Sequence, residues 1–443
     1  NGDSIVLVSG HVLINKNLTI TGPGADKLVV SAGGNSRIFK IDSAITVQVE
    51  KLTLRNGHVI GTDYTSQGGC IYNKGSLSIQ DCHVLYCHAN YSGGAIYNEG
   101  ALDVVKTTLA YNHADSSGGA LANISGSVDV INSTISGNSA NVRGGGLYNK
   151  SVQHGRVPEI RVQFSTVVGN QSLLEGGGIA NTFLNMIDTA RVILGSSIVA
   201  MNSSGTYGVD IFRDLSSECI VSSEGFNLIG NSDSSGILAI TGDIMGNTNS
   251  EIDPLISPLG HHNGPTPSHK LECGSPCLDS GDPFISLSTD QRGENRPFFG
   301  RNDIGAVEAQ IDLYNPVVYL GQDIDTCLNT AMSFNAGSGS DSVNWFVNST
   351  LKLADDQNYN YKTGRQDTLV AEAISTAGCA GYDTVLVRLV DQIDPVIGNC
   401  PNNIKLSSSS GTCNAVANWV PPTATDNCNV DTIIGSHSPG DSF

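Results

Sequence analysis

Short alternating runs of apolar and polar residues recur along the first two-thirds of the chain: Leu77-Ser78-Ile79, Leu102-Asp103-Val104, Val128-Asp129-Val130 and Ile160-Arg161-Val162. Period-two alternation over so short a span predicts strands with one buried face, and no helical periodicity competes with it. A glycine phrase precedes each run: Gly68-Gly69-Cys70-Ile71-Tyr72-Asn73, Gly93-Gly94-Ala95-Ile96-Tyr97-Asn98, Gly118-Gly119-Ala120-Leu121-Ala122-Asn123 and Gly144-Gly145-Gly146-Leu147-Tyr148-Asn149. A fifth copy is Gly176-Gly177-Gly178-Ile179-Ala180-Asn181, and the terminal asparagines are spaced by 25, 25, 26 and 32 residues. A second phrase follows each run, as in Ser133-Thr134-Ile135-Ser136-Gly137-Asn138. Gly and Asn at the breaks tolerate the left-handed backbone that sharp corners require.

A unit of about 25 residues with two or three short strands cannot bury its apolar face alone, so it must stack on its neighbours. The expected fold is all-β: a right-handed parallel β-helix over residues 1–310, followed by Ig-like β-sandwich modules. At this period the first segment gives roughly 12 coils and a rod of roughly 55 to 60 Å, with about 4.8 Å between strands. Asn112, Asn138, Asn170 and Asn202 fall at equivalent turn positions, where side-chain amides can bond from coil to coil. Asn132 and Asn170 also head sequons, for which a structural ladder is the simpler reading.

Charge narrows the partners. With 23 Lys+Arg against 42 Asp+Glu the net charge is -19, which disfavours nucleic acid and anionic membrane surfaces. No apolar run approaches the roughly 18 residues a membrane span needs, so no membrane insertion is expected in this segment. The chain begins at Asn1 without Met and stops at Phe443 in mid-pattern, so further C-terminal modules are expected. Eleven cysteines without CxxC pairs point away from a zinc ribbon and toward an oxidising, extracellular compartment. Disulfide candidates are Cys273, Cys277, Cys327, Cys379, Cys400, Cys413 and Cys428.

Chemistry is sparse. Aligned coils place Ser78, Asp103, Asp129 and Arg161 in one outward row, with neighbours near 5 Å apart. Such a row could bind Ca²⁺ or a uronate, although an exposed ion ladder explains it more simply. Asp103, Asp129 and Arg161 are the weak candidates for catalysis by a polysaccharide lyase or hydrolase. HExxH, P-loop and G-x-S-x-G motifs are absent. His83, His88 and His113 could cluster with Cys82 and Cys87. No cofactor is expected; Ca²⁺ is the one ion the Asp-rich turns suggest, without an EF-hand or nonapeptide repeat to hold it.

The glycine phrases resemble those of the polymorphic outer membrane protein type of β-helix. The series Asp253-Pro254-Leu255, Asn263-Gly264-Pro265-Thr266-Pro267, His269, Gly274-Ser275-Pro276, Asp290-Gln291-Arg292-Gly293, Arg296-Pro297 and Asp303-Ile304-Gly305-Ala306 resembles the choice-of-anchor Q class of bacterial surface proteins. That class has no generally assigned activity. Residues 253–308, with Asp290, Arg292 and Asp303, read as a cap that covers the last coil's strand edges through salt bridges and pinned loops. Cys70, Cys82 and Cys87 depart from the repeat and leave the first coils open to a local disulfide.

Residues 312–390 carry Cys327, Trp345 and Cys379 in an order similar to Ig-like and PKD-like modules, which implies a Trp packed near an inter-sheet disulfide. Residues 392–443, with Asp394-Pro395, Cys400-Pro401, Cys413, Trp419 and Asp426-Asn427-Cys428, resemble the start of a HYR module. The phrases Asp42-Ser43-Ala44, Asp188-Thr189-Ala190 and Asp383-Thr384-Val385 resemble O-glycosylation acceptors of type IX-secreting bacteria. Together these imply a secreted or surface-anchored bacterial adhesin-like protein whose partner is a glycan or a surface protein. The alternatives are a β-helix polysaccharide lyase or hydrolase, and a stalk or filament subunit that binds copies of itself.

Overall fold

The computed structural model describes residues 3–61, 65–152, 156–184, 189–215, 218–284, 287–298, 300–310, 313–391, 393–408, 410–411 and 413–443. Every regular element among them is a β-strand, and the chain divides into two compact units, Asn1–Leu313 and Tyr314–Phe443.

In the first unit each strand pairs in parallel with its counterpart one repeat later, as Ile71–Asn73 does with Ile96–Asn98 and that strand with Leu121–Ile124. One coil holds four strands, for example Ile71–Asn73, Ser76–Gln80, His83–Leu85 and His88–Ala89, where the sequence predicts two or three. The extra strand is two residues long, too short for alternation to reveal. Among the described residues the four resulting sheets have eight, eight, ten and six strands. Eight rungs at about 4.8 Å span roughly 35 Å. The expected 12 coils are therefore an overestimate, because the repeat ends at Ile244–Met245.

Alternation fixes the interior. Leu77, Leu102, Val128, Ile160 and Val192 stack in register, as do Ile79, Val104, Val130, Val162 and Leu194, all within one core. The corners differ from expectation. Lys51, Asp81, Lys106, Asn132, Phe164 and Ser196 hold the left-handed corner after the second strand, with φ between 47° and 55°. Only one of these is Asn and none is Gly, at a cost of roughly 1–2 kcal/mol per residue. The next residue offsets that cost. Thr107, Ser133, Ser165 and Ser197 donate their hydroxyls to the carbonyls of Val105, Ile131, Gln163 and Gly195, two residues back, and accept the backbone N–H of the preceding coil. Glycine is required at the other corner, where a Cβ on Gly94 would fall 2.1 Å from the Gly119 carbonyl oxygen.

The described residues of 253–310 leave the repeat and run as an irregular strap over the outer face of the ten-stranded sheet. Gln291 Nε2 donates to Thr108 Oγ1 at 2.9 Å and its Oε1 accepts from Thr134 Oγ1 at 2.6 Å. Ala306 N donates to Thr166 Oγ1, and Gly305 N to the Ser196 carbonyl. Among the described residues the strap is therefore bonded to the flank of the stack, where a cap over the last coil's strand edges was expected, and it meets the last coil where Arg301 lies over the Phe226 ring at 5.5 Å. Outward threonines at successive rungs supply hydroxyls for it, which the end of a coil would not.

In the second unit Ile324–Thr326, Ala380–Leu389, Asp367–Ile374, Ser342–Val347 and Thr350–Leu353 form one sheet, and Ala331–Asn335 pairs with Asn358–Lys362. Trp345 is fully buried between them, stacked on Tyr359 at 5.5 Å, with Nε1 donating to the Asp356 carbonyl. Cys327 is bonded to Cys428, so the expected Cys327 to Cys379 bond across the sheets is not made. Cys379 sits instead in the turn joining Asp367–Ile374 to Ala380–Leu389. The rings of Phe334 and Tyr359 brace the tryptophan. Further on, Val396–Gly398 pairs with Thr423–Thr425, and Cys400 and Cys413 are exposed free thiols.

Candidate functional site

The outward row forms in register: Ser78 opposite Asp103, Asp103 opposite Asp129, and Asp129 opposite Arg161. Burial, then Asp103, pushes the Asp129 carboxyl up while Arg161 opposes the shift. Arg161 lies 3.9 Å from Asp129 but is held more closely by Glu159, at 3.5 Å, and by Glu224. Glu224 escapes the sequence alignment because it occupies a bulge, where Leu194 pairs with Ser223 and Gly195 with Gly225.

The four asparagines form a buried ladder: Asn112 donates to Asn138, Asn138 to Asn170 and Asn170 to Asn202, each at 2.9 Å. A second ladder joins Asn73, Asn98, Asn123, Asn149 and Asn181, the terminal residues of the glycine phrases. Its signal was the invariance of that last position within the repeat. The sequon asparagines Asn132 and Asn170 are buried; Asn132 donates to the Thr289 carbonyl.

In the strap, Asp290 is fully buried, and its Oδ2 accepts from Arg292 Nη2 at 2.8 Å and from the Glu308 N–H. Asp303 accepts the N–H groups of Asp279 and Ala309, pinning two loops. Burial, then Glu308, pushes its carboxyl up to about 7.

The cysteine and histidine positions separate. Cys70 and Cys87 form a disulfide inside the core, Cys82 is a buried free thiol, and Cys277 is likewise free, so it makes no bond with Cys273. His83 is on the ten-stranded sheet, where burial lowers it to about 4. His88 and His113 lie on the six-stranded sheet beside Asp115, so the anticipated cluster of His83 with Cys82 and Cys87 does not form. Burial, then His88, holds His113 below the usual imidazole range against the pull of Asp115. For Asp115 burial acts upward, but its bonds to His88 and His113 outweigh it and the carboxyl is lowered. Asp188 of the acceptor-like phrases lies outside the described residues.

A recess among the described residues of the first unit was not foreseen. Lys40, Tyr72 and Tyr97 occupy one outward row of an eight-stranded sheet, with the two tyrosine rings stacked at 5.3 Å. Two residues after each tyrosine come Lys74 and Glu99, which pair across one coil at 3.4 Å. Arg37 approaches the Tyr72 ring at 5.6 Å and Lys74 at 5.3 Å, while the Tyr72 hydroxyl donates to Glu99. Arg37 is positioned by Nη2 donation to the carbonyls of Thr65 and Gln67. Burial, then Glu99, raises Tyr72 above the usual phenol range, so the ring stays neutral. The cavity, about 430 Å³, presents three cations against one carboxylate. Its size falls among small-ligand sites. The signal lay in the alternation of Tyr72-Asn73-Lys74 with Tyr97-Asn98-Glu99, but Arg37 and Lys40 come from a coil without the glycine phrase.

Residues 132–150 match the Chlamydia polymorphic membrane protein repeat. The matched stretch includes the strands Thr134–Ser136 and Ser139–Ala140 and most of Leu147–Ser151, with Asn138 and Asn149 each in one of the two ladders. The chain therefore carries a repeat of the polymorphic membrane protein type, folded as a parallel β-solenoid. No curated protein and no solved structure matches the chain.

Proposed function

We propose that this is a surface-displayed, adhesin-like protein that holds acidic glycans in the recess around Tyr72. The supporting observation is the gathering of Arg37, Lys40 and Lys74 at one neutral tyrosine on a chain of net charge -19. Against an acidic background, a fixed cation group selects a carboxylate or sulfate, and the tyrosine ring keeps two of the cations in place. The polymorphic membrane protein repeat favours an outer-membrane or surface location of the autotransporter-like kind, and disulfides suit an oxidising compartment. On this reading the second unit, with its Ig-like and HYR-like character, spaces the solenoid from its choice-of-anchor attachment.

The test is retention on immobilised acidic and neutral polysaccharides. Acidic glycans should be retained intact, and Lys74→Ala and Arg37→Ala should each weaken retention about tenfold or more, the loss of a charge-assisted contact. Equal retention of neutral glycans, or no effect of either change, would refute the proposal. A second reading, a polysaccharide lyase or hydrolase, draws on the raised Asp129 carboxyl beside Asp103. It requires cleavage products that disappear in Asp129→Asn.

A further inference from the structure

Just ahead of the glycine phrase in each coil, the six-stranded sheet carries His58, His88 and His113 at one register position, followed by Ser139. Stacking brings the His58 and His88 rings to 4.4 Å, nearly parallel, and sets His113 edge-on to His88 at 4.9 Å. His88 Nε2 and His113 Nε2 lie 2.9 and 3.1 Å from the same atom, Asp115 Oδ1. The three ligand atoms are all within 4.8 Å of one another, with both histidines half-buried and Asp115 exposed.

We infer that His88, His113 and Asp115 bind a divalent transition ion of the zinc class on the surface of two adjacent coils. Two imidazole nitrogens converge on one carboxylate oxygen, so each contact needs a proton on Nε2 or a cation between the groups. One cation satisfies all three atoms at once. Two imidazole nitrogens of borderline softness with one carboxylate oxygen suit Zn²⁺, Co²⁺, Ni²⁺ or Cu²⁺, whereas Ca²⁺ takes six to eight oxygens. The other His113 nitrogen, Nδ1, lies 2.8 Å from Ser139 Oγ, the kind of outer partner that orients a ligating imidazole. His58 is outside the set, its Nε2 being bonded to Asn90 Oδ1 at 3.0 Å.

The placement gives the ion a structural effect. His88 and His113 come from neighbouring two-residue strands, which make the fewest ladder hydrogen bonds of the four sheets. An ion shared between them clamps the coils where backbone pairing is thinnest, and anything that binds only the folded state stabilises it. This inference is independent of the glycan reading, since the recess shares none of these residues.

The experiment uses the full chain with Cys400 and Cys413 alkylated, because exposed thiols would bind zinc themselves. Zn²⁺ is titrated by calorimetry and Co²⁺ by visible absorption. The expected result is one ion per chain, Co²⁺ bands of nitrogen and oxygen coordination, and a melting temperature that rises and saturates at the same stoichiometry. Asp115→Asn keeps an oxygen at the site and should preserve the fold; it and His113→Gln should each weaken binding at least about tenfold. A chain that takes up no ion, or binds equally well in both variants, would overturn the inference.

Discussion

The side-chain amide of Asn202 donates to Asp210 Oδ1 at 2.8 Å, and Asp210 is almost completely buried. In the ladder each Nδ2 donates to the next Oδ1, so the last amide needs an acceptor from outside the repeating asparagine. Asp210 supplies it, and also accepts the N–H groups of Asn202 and Asn231. Asp210→Ala leaves the buried N–H groups of Asn202 and Asn231 unpaired, while Asn202 Nδ2 keeps the carbonyls of Val167 and Ala200; at about 1–3 kcal/mol for each lost partner, a loss of about 2 kcal/mol or more is expected in urea unfolding. A loss below about 1 kcal/mol would mean that water or another group terminates the ladder.

Buried carboxyls give the first unit an unusual response to pH. Burial first of all raises Asp210 to about 6 and Asp303 to about 7. A raised carboxyl holds its proton more tightly in the folded state, so its contribution is complete below the unfolded value near 3.8 and is lost as pH rises through 6 to 7. The stability of the wild-type chain minus that of Asp303→Asn should therefore fall between about pH 4 and pH 7. A flat difference across that window would contradict the assignment.

The strap holds a buried ion pair, Arg296 Nε to Glu308 Oε2 at 3.1 Å, with both side chains out of water. The contact is one of charge, since Nε has no aligned hydrogen-bond partner while Nη2 donates to the Gly305 carbonyl. Arg296→Met leaves Glu308, which keeps the N–H groups of Phe298 and Asp303, without its counter-charge in the interior. The expected loss is about 3–5 kcal/mol, seen as early proteolysis of residues 253–310 ahead of the coils.

Thiol chemistry should divide the chain cleanly. Burial pushes the thiols of Cys82 and Cys277 up to about 12, and Cys219 also to about 12, so none of them should react with iodoacetamide in the folded protein. Cys400 and Cys413, both exposed, should be labelled at once. Peptide mass mapping checks this, and native labelling of Cys82 would show the core to be open.

The disulfide Cys70 to Cys87 should stabilise the first coils by about 3 kcal/mol, the usual value for a loop of this length. Cys70→Ala with Cys87→Ala should lower the melting temperature while the strand content in circular dichroism persists.

Much of the solenoid was legible because the repeat states it directly. Alternation at Leu77-Ser78-Ile79 and its counterparts gave the strand register, and Asn112, Asn138, Asn170 and Asn202 gave one ladder. What stayed hidden depends on residues outside the phrase. Asp210 stands where Gly146 and Gly178 stand in earlier coils, in a degenerate copy reading Gly208-Val209-Asp210-Ile211. The contacts of Gln291 and Ala306 in the strap join residues 140 to 183 positions apart, with no local pattern to announce them. The recess mixes a coil that has the phrase with one that lacks it. In the second unit the order Cys327, Trp345, Cys379 suggested a bond that chain order cannot specify, since pairing follows proximity and Cys428 is the cysteine that reaches Cys327.

The strap is the last part of the first unit in sequence, yet its anchors, Thr108, Thr134, Thr166 and Ser196, belong to four successive coils in the middle of the stack. It can seat only after those coils exist at their final pitch, because its own bonds are set at that spacing. The segment thereby acts as a gauge of assembly: a stack that has skipped or doubled a coil offers the wrong interval and leaves Asp290, Arg296 and Glu308 without a bed.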